Sequence, residues 1–474
     1  MRFLRSWSVL APLAVCALLA GWIALSVANA RAVGFSIVLF AVANLIVYTD
    51  AIDFVVRLYV RRRHTRAVGA VREGTRSPDL SINLAETLPP GALRVAPAAP
   101  FAIIASIYNL EENLDEFMTS FGPYRERVWL ISDGSTDNTL LRLRQAGWRC
   151  FEDGINRRKP AALRRLLEQL PSHIETVMVI DPDIRIRGLA DGSSIGLEQF
   201  IAQFQQSGAA AACPRIMIEP DGFLARFQAF EYALAFRVGR ESLADYSITS
   251  GVSFYRRSAL ERALSKHSLS VYAEDFENAV LLLSWGERIY YDGRLVVSTH
   301  GPGSLAQWFS QRVGWYHGLI KVYIERFAEL RRISRRSPFA MYHYLIYVGV
   351  LSLGIHLAKM ASAALLLLSF LAGLDALLLD DLVPQGTFAN PEYFTAAVAS
   401  YLALGVIALF TRVPKSERAY IAPIVPLYLC YAITHIVPMT VGFMNFFALK
   451  LFHRRLYQDH YEKAAVRQEL GTTE

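Results

Sequence analysis

The sequence has few cysteines, little charge and no repeats. Its 474 residues include only four cysteines, Cys16, Cys150, Cys213 and Cys430, which lie far apart and form no C-x-x-C pair. This spacing gives no disulfide framework and predicts free thiols in a reducing compartment. Charged residues make up only 19% of the chain, and no low-complexity run or internal repeat interrupts it.

Hydrophobic residues are abundant instead. They make up 53% of the chain, and the mean hydropathy is +0.27. The net charge is +7 and the pI is near 9.2. Basic cytoplasmic loops and contact with anionic lipid headgroups are enough to explain this positive excess. The composition predicts a membrane protein and gives no reason to expect a nucleic-acid partner.

Two apolar segments at the N-terminus predict a membrane hairpin. Residues 7–28 are long enough to cross ~30 Å of hydrocarbon at ~1.5 Å per residue, and residues 32–60 form a second long stretch. Arg2 and Arg5 precede the first stretch, and a basic run at 61–64 follows the second. Because basic residues stay cytoplasmic, the middle of the chain is predicted to be cytosolic and the protein to be a multi-pass inner-membrane protein.

A secretory signal is the alternative interpretation of the first segment. Small residues at 28–30 resemble an A-x-A cleavage site after the apolar stretch. The stretch is longer than a usual signal and a second span follows at once, which favours the membrane hairpin.

More spans are predicted towards the C-terminus. Residues 340–370 and 393–411 are apolar, and the acidic residues Asp375, Asp380 and Asp381 between them indicate an external loop. The last apolar block, 420–451, ends in a basic tail. A single span there would place the basic tail outside, against the tendency of basic residues to stay cytoplasmic, whereas two spans barely fit into the length of this block. The predicted total is therefore five or six membrane spans.

An α/β domain is predicted between these membrane regions. Prolines and small residues at 65–100 are typical of a linker, and strand-like and helical runs then alternate, which predicts a mainly parallel sheet. The strand-like runs are FAIIASI, VWLIS, TVMVI, GAAAAC, RIYY and VVST. The predicted units are a transmembrane hairpin (1–64), a linker (65–100), the α/β domain (101–302), amphipathic interface helices (303–338), transmembrane helices (339–452) and a basic tail (453–474).

Acidic residues follow two of the predicted strands. Asp133 lies in ISDGSTDNT, where it would face a ligand crevice, and the neighbouring Asp137 is more simply a helix cap. Asp181 and Asp183 close the strand VMVI as a D-x-D pair. Two carboxylates at the carboxyl end of a strand can hold a hard divalent cation against a diphosphate, although an isolated D-x-D is often a solvated turn.

Two further motifs add a cation and a candidate base. Lys159 precedes Pro160 at a predicted helix start, where it is suited to neutralising a phosphate or the nearby acids, or else is an ordinary solvated lysine. Glu274 and Asp275 lie in YAED before an apolar helix. Inverting glycosyl transfer needs a carboxylate to accept the proton of the acceptor hydroxyl, and an acid here suits that role; a plain helix cap would also explain it.

Together these motifs resemble family 2 glycosyltransferases of the GT-A fold, in the membrane-embedded branch of cellulose, chitin and hyaluronan synthases. The resemblance runs over residues 101–318. It implies a GT-A domain, Rossmann-like and cytosolic, inserted between α-helical transmembrane segments. It also implies Mg²⁺ or Mn²⁺, a nucleotide-diphosphate sugar, most simply a UDP-sugar, and a polysaccharide or lipid acceptor.

The resemblance assigns a role to each matching position. It implies that Tyr108, Asn109, Asp133 and Asp181 bind the donor, that Asp181 and Asp183 bind the metal, and that Asp275, next to Glu274, is the general base. Lys159 is added to the donor-binding candidates because of its place at the predicted helix start. The acceptor would contact Ser250 and Gly251 in SITSGVSFYRR and Gln311 and Trp315 in QRVGW.

Three positions depart from the family pattern. Leu110 replaces the acid after Tyr-Asn, Ser132 replaces the first acid before Asp133, and Gly314 replaces the arginine of Q-x-x-R-W. Arg312, two residues before Gly314, is the candidate replacement for binding the diphosphate.

The expected function is inverting β-glycosyl transfer, with polymer elongation and export through the chain's own spans. His356 and Lys359 lie one turn apart near the middle of a predicted span, where charge is costly, so they are candidates for lining a passage. One alternative is transfer of a single sugar to a lipid such as a polyprenyl phosphate or ceramide. Another is a catalytically silent membrane scaffold, which the retained acids argue against.

Overall fold

A mixed β-sheet organises the central part of the chain. The computed structural model describes residues 36–76, 98–187, 195–378 and 387–459. The predicted first span, most of the predicted linker, the pair Asp380 and Asp381, and the tail beyond residue 459 therefore lie outside the described residues. The described chain divides into two compact units, one containing Arg62–Leu345 and Val441–Glu474, the other Met1–Arg61 and Ile346–Thr440.

The sheet has eight strands in the order β3-β2-β1-β4-β7-β6-β8-β5. The pairs β1–β2, β1–β4, β2–β3 and β6–β8 are parallel, whereas β4–β7, β6–β7 and β5–β8 are antiparallel. The strands are β1 Phe101–Ile107, β2 Val128–Asp133, β3 Cys150–Asp153, β4 Thr176–Ile180, β5 Arg185–Arg187, β6 Ala211–Ile218, β7 Val252–Arg256 and β8 Ile289–Thr299.

Most helices of this unit follow strands and cover the sheet. The α-helices of the whole described chain, numbered in order, begin with α1 Ile37–Ala43 and α2 Leu45–Arg72. Those of the sheet unit are α3 Leu114–Phe121, α4 Thr139–Gln145, α5 Lys159–Glu168, α6 Leu197–Ser207, α7 Phe223–Leu234, α8 Glu241–Leu243, α9 Arg257–Lys266, α10 Glu274–Ser284, α11 Leu305–Glu325, α12 Phe327–Ser334 and α13 Pro338–Met341. Short 3₁₀ turns at Glu111–Asn113 and Gly122–Arg127 and a π-helical turn at Ala235–Arg240 complete it.

The core has two layers, one on each face of the sheet. Alternate residues of β1 show this directly, because Ile103 packs with the phenylalanines of α3 and α6, whereas Ile104 packs with the leucines of α5, α9 and α10. Successive side chains of a strand point to opposite faces, so a strand buried on both faces is apolar throughout. This confirms the α/β class predicted from the alternating runs.

Two sequence predictions about strands were wrong. The run VSFYR was not among the predicted strands, but it forms β7, which runs antiparallel next to β4 in the middle of the sheet. The runs RIYY and VVST were predicted as separate strands, but they form the single strand β8. Pairing with β6 jumps from Asp292 opposite Pro214 to Val296 opposite Arg215, so the apparent break in the sequence is a bulge.

The second unit is helical and largely apolar. Its helices include α14 His356–Leu378, α15 Pro391–Thr411, α16 Lys415–Ile421 and α17 Tyr428–Thr434, and α18 Ile436–Phe452 continues from it. A π-helical segment Tyr342–Gly354 precedes α14, and a 3₁₀ segment Ala422–Leu427 lies between α16 and α17. Phe40, Leu366, Tyr393 and Leu429 belong to its buried core.

Among the residues that the structure describes, three helical segments are long and apolar enough to cross a membrane: His356–Asp375, Pro391–Thr411 and Lys415–Phe452. The pair α1 and α2 makes a fourth if it is one span, bent by 62°. The predicted linker begins at residue 65, but α2 continues to Arg72. Asp375, predicted in an external loop, is instead buried within α14.

Several lysine and arginine side chains of the predicted interface segment contact carboxylate and carbonyl oxygens of the protein. Arg326 and Lys321 approach the carboxylate of Glu277, at 2.6 and 3.8 Å. Arg336 donates to the carbonyl oxygens of Leu283 and Ser284 at the end of α10. These residues attach α11 and α12 to α10, so the basic residues there have a structural role, and the interfacial location remains a prediction.

We expect that Ile103→Ala lowers the free energy of unfolding by about 2–5 kcal/mol, because it opens a cavity in the centre of the sheet. Leu141→Ala is the matched control, since Leu141 is 55% exposed on α4 and its truncation should change stability by no more than about 0.5 kcal/mol. Denaturant unfolding in detergent, followed by tryptophan fluorescence, measures both. Equal losses in the two variants would contradict the described core.

Candidate active site

Acidic residues follow two parallel strands, β2 and β4, which lie on either side of β1 in the sheet. Asp133 ends β2, and Asp181 comes directly after β4. Since the carboxyl ends of parallel strands lie at the same edge, the fold brings these acids to one side. The carboxylate of Asp133 is buried and accepts a hydrogen bond from the backbone N–H of Arg157 at 2.7 Å. Burial raises the pKa of Asp133 above its ordinary value.

Lys159 connects two of the predicted acids. Its Nζ lies 2.5 Å from Oδ1 of Asp181 and 2.8 Å from Oε1 of Glu274. Lys159 begins α5 with Pro160 in the first turn, and Arg158 before it has a left-handed backbone with φ of 74°. Burial alone would lower the pKa of Lys159, but the carboxylates of Asp181 and Glu274 outweigh that effect and raise it well above its usual range. The lysine is therefore a buried counter-ion.

Asp181 and Asp183 are the predicted ligands of a divalent cation. Burial raises the pKa of Asp181 to about 6, and the nearby charge of Asp183 acts in the same direction. Asp183 Oδ2 accepts a hydrogen bond from the Thr299 hydroxyl at 2.5 Å. Within the described residues, no group of three His, Cys, Asp or Glu side chains converges to hold a metal. Two hard oxygen donors fit a cation whose other ligands are phosphate oxygens and water.

Asp275 lies in the first turn of α10, at the edge of the same cluster. Burial and the adjacent Glu274 raise the pKa of Asp275 to about 7, although Lys159 and Arg240 act to lower it. Its Oδ1 accepts from the N–H of Phe276 at 2.8 Å, and its backbone carbonyl accepts from the Thr249 hydroxyl at 2.5 Å. A carboxylate that titrates near neutral pH is suited to accepting a proton in catalysis.

The predicted acceptor loop lies against the D-x-D motif. The N–H of Asp181 donates to the carbonyl of Gly251 at 2.9 Å. A Cβ at Gly251 would lie 2.0 Å from Oδ2 of Asp181, so this approach requires glycine. Ser250 is buried and its backbone N–H donates to the Ser253 hydroxyl, which makes it a turn residue before β7.

The predicted nucleotide loops are connected through Asn109. Its backbone is left-handed, with φ of 47°, and its side-chain oxygen accepts from the N–H of Thr136 at 2.8 Å. Its own N–H donates to Ser135, so the loops after β1 and β2 form one rim. Asp137 accepts from the N–H groups of Thr139 and Glu111 and is structural. Burial raises the pKa of Tyr108, and Arg158 lies close enough to oppose this shift.

A cavity of about 370 Å³ adjoins the acids. Asp183, Arg185, His300 and Gln311 are among the residues that line it. Gln311 comes from α11, and its buried Oε1 has no hydrogen-bond partner among the described residues. An unsatisfied buried acceptor favours a ligand with a hydroxyl donor at this position.

Arg312 and Trp315 contact each other on α11. The guanidinium of Arg312 lies 4.2 Å from the ring centre of Trp315, and its Nη2 lies 2.8 Å from the carboxylate of Glu231. Arg312 is only 3% exposed. The structure thus gives it a carboxylate partner, and its predicted contact with a diphosphate stays a prediction.

His356 and Lys359 belong to the helical unit and not to this cluster. His356 Nε2 lies 2.9 Å from the hydroxyl of Thr440. The carboxylates of Asp50 and Asp53 act electrostatically on Lys359. A polar environment inside the helical unit is thus present around both residues, and a passage remains a prediction.

Several residues near the acids were missed from the sequence. Thr249 and Arg240 support Asp275, and Arg240 also donates to the Thr249 carbonyl at 3.4 Å. His300, at the end of β8, contacts Arg185 and lies 2.6 Å from Asp221. No sequence signal marks Thr249 or Arg240, because they come from irregular segments. His300 follows a strand-like run, which is a usable signal.

Comparison with known proteins gives distant structural likenesses. No protein-family model matches the chain, and no curated protein matches it significantly. The mannosyltransferase PcManGT from Pyrobaculum calidifontis, solved with GDP-Man and Mn²⁺, is similar over 84% of this chain and 99% of its own, with TM-score 0.48 and 18% identity.

Two other solved glycosyltransferases are similar over about half of the chain. Glucosyl-3-phosphoglycerate synthase from Mycobacterium tuberculosis has a TM-score of 0.29 and 16% identity, over 47% of this chain and 79% of its own. GalNAc-T7, solved with UDP, GalNAc and Mn²⁺, has a TM-score of 0.33 and 11% identity, over 53% of this chain and 54% of its own. At these scores the likeness assigns neither an activity nor a substrate to this chain.

The raised pKa of Asp275 predicts a pH-dependent stability. Its ordinary value is 3.8 and its folded value is about 7, so the folded state binds more protons between these values. Its stabilising contribution is full below the unfolded value and is lost as pH rises through the folded value. We therefore expect that Asp275→Asn is more stable than the parent at pH 8, with a difference that shrinks towards pH 5.

Thermal unfolding at both pH values, without added metal, measures this difference. Asp292→Asn is the control, because Asp292 is also buried but is paired with Arg294 at 2.7 Å. It should lose stability at pH 8. A parent that is more stable than Asp275→Asn at pH 8 would contradict the assigned environment.

Proposed function

We propose that this protein is a membrane-associated, inverting β-glycosyltransferase of the GT-A class that uses a nucleotide-diphosphate sugar. The observation that carries the proposal is the convergence of Lys159, Asp181, Glu274 and Asp275 at the carboxyl edge of the sheet. A metal-supporting acid pair, a buried cation and an acid that titrates near neutral pH are the groups that displacement of a diphosphate requires.

The donor is assigned to the rim formed by the loops after β1, β2 and β4. Asp133, Tyr108 and Asn109 would contact the nucleoside, while Asp181 and Asp183 would lie at the diphosphate. Mg²⁺ or Mn²⁺, held by these two acids, would stabilise the negative charge of the leaving diphosphate. Lys159 keeps Asp181 in place and ionised beside that charge, because its ammonium offsets the acid's burial.

Asp275 is assigned the proton transfer. Its carboxylate takes the proton from the acceptor hydroxyl as that oxygen bonds to the anomeric carbon of the sugar. The bond from that carbon to the diphosphate breaks on the opposite face, and the diphosphate leaves with the electron pair. This single displacement inverts the anomeric configuration. A base with a pKa near the working pH is suited to accepting the proton in this displacement.

The acceptor is assigned to the cavity beside Asp183. Gln311, which lines this cavity and has an unpartnered side-chain oxygen, would accept a hydrogen bond from a sugar hydroxyl, and Trp315 and the Ser250-Gly251 turn would complete the site. We extend the proposal to a growing polysaccharide as acceptor, exported through the apolar helices of an inner-membrane protein with a cytosolic catalytic domain. The sequence resemblance supports this extension, and the polar surroundings of His356 and Lys359 are compatible with it.

The test of the function is turnover of a donor panel that contains UDP-sugars and GDP-mannose, by the purified protein with Mn²⁺. Release of the nucleoside diphosphate together with a glycosylated product supports the proposal, and no turnover of any donor would refute it. Mass analysis of the product then separates a polymer from a lipid that carries one sugar.

Metal dependence should rest on Asp181 and Asp183. We expect that Asp183→Asn lowers kcat by roughly 10²-fold or more, the scale of losing a preorganised electrostatic element. Excess EDTA should abolish parent activity and added Mn²⁺ should restore it. Asp221→Asn is the control, because Asp221 is an exposed acid that contacts His300. This variant should retain metal-dependent turnover. Full activity in EDTA would sink the metal assignment.

The base should be Asp275. We expect that Asp275→Asn nearly abolishes transfer, whereas the dissociation constant for UDP, measured by calorimetry, changes by less than about threefold, because only the acceptor step needs the proton. In the parent, kcat should fall as pH decreases below about 7, where the carboxyl becomes protonated. Transfer at the parent rate by the variant would assign the base elsewhere.

A further inference from the structure

The chain's C-terminal segment returns to the active-site unit after its last apolar helix. Residues 453–459 follow α18, and Asn445 within α18 fixes their path. Its buried side-chain oxygen accepts from the N–H groups of Leu456 and Tyr457, at 3.0 and 2.9 Å, and its Nδ2 donates to the carbonyl of Tyr457 at 2.8 Å. The segment therefore has a defined conformation.

This segment binds the tyrosine of the YAED motif. The hydroxyl of Tyr272 donates to Oδ2 of Asp459 at 2.8 Å and accepts from Nη1 of Arg455 at 2.6 Å. The Arg455 guanidinium also lies 5.6 Å from the centre of the Tyr272 ring. Tyr272 is 5% exposed and Asp459 is fully buried. Charge-assisted hydrogen bonds in such surroundings are strong and directional.

The other face of Tyr272 packs on α11, the helix that carries Gln311 and Trp315. Its ring stacks on His317 with centroids 4.3 Å apart. A Cβ at Gly318 would lie 2.7 Å from the backbone nitrogen of Ala273, so the loop touches the helix backbone. The ring of Tyr457 in the C-terminal segment also packs on the ring of Phe309 in the same helix, with the ring centroids 5.4 Å apart. The loop before Glu274 is thus enclosed by α11 and the C-terminal segment.

The backbone is strained at Ala273, within the enclosed loop. Ala273, between Tyr272 and Glu274, has a left-handed backbone with φ of 53°, which a residue with a Cβ rarely adopts. Such a conformation persists only where the surroundings impose it. The two acids of the site follow directly as the first residues of α10. The anchoring of Tyr272 consequently sets where α10 begins.

We propose that Tyr272, Asp459 and Arg455 form a latch through which the C-terminal segment positions Glu274 and Asp275 for glycosyl transfer. The inference rests on the proposed function for its catalytic meaning, while the latch itself rests on the contacts above. The three side chains are positioning residues, because they touch Asp275 only through the backbone of the loop. Misplacement of a reacting group by about 1 Å can cost ~10²-fold in rate, so a remote anchor can control turnover.

Tyr272→Phe tests the latch with the least disturbance, since it removes the hydroxyl and keeps the stacking on His317. In the full-length protein with Mn²⁺ and its active donor, we expect kcat to fall by roughly tenfold or more and the donor KM to change by less than about twofold. Asp459→Leu, which removes the acceptor oxygens and keeps a side chain of similar size, should do the same. The double variant should fall no further than the worse single variant, because both remove one interaction.

Asp292→Asn is the matched control, because it also removes a buried carboxylate that is paired with an arginine. It should lower the thermal midpoint and leave kcat unchanged. A second readout needs no activity: amide hydrogen exchange over 268–276 should be faster in Tyr272→Phe, while exchange in β1 stays as in the parent.

The outcomes separate this inference from the proposed function. A parent that turns over no donor refutes the function, and hydrogen exchange alone then decides on the latch. With an active parent, unchanged kcat in Tyr272→Phe, or additive losses in the double variant, would overturn the positioning role. Unchanged exchange over 268–276 would overturn the latch itself.

Discussion

The contact of Lys159 with the carboxylates of Asp181 and Glu274 is the interaction on which the rest of the site depends. Asp181 follows β4 and Glu274 begins α10, so one ammonium group connects three separate elements. Removing that cation would leave two neighbouring, partly buried carboxylates without their counter-charge, which is destabilising. The charge balance at this point therefore decides both the shape of the site and the protonation of the acids in it.

Close backbone approach is the second constraint, and glycine makes it possible twice. Gly251 lets the predicted acceptor loop lie against Asp181, and Gly318 lets α11 lie against Ala273. In both places a methyl group would collide with backbone or carboxylate atoms. The loop at Gly251 thereby lies within hydrogen-bonding distance of Asp181, and α11 lies in contact with the backbone before Glu274. The arrangement of the site therefore requires the absence of a side chain at both positions.

Much of the fold could be predicted because local patterns reflect burial directly. A strand covered on both faces must be apolar, and β1, β2 and β4 were recognisable for that reason. β7 was missed because its five residues follow a turn and end in arginine, which resembles a loop. The bulge in β8 was read as a strand break because periodicity does not show pairing across a sheet.

The sequence by itself determined which residues are candidates for the proposed chemistry, namely the acids at 133, 181, 183, 274 and 275 and the lysine at 159, and it determined the apolar segments. Residue type and position after a strand are local properties. Only the tertiary structure decided the partners. Lys159 pairs with Asp181 and Glu274, and Arg312 pairs with Glu231. Tyr272 forms a hydrogen bond with the C-terminal segment. These pairings join residues that are distant in the chain. Many charged side chains could serve as partners, and the choice among them is made only when the sheet and its helices have formed.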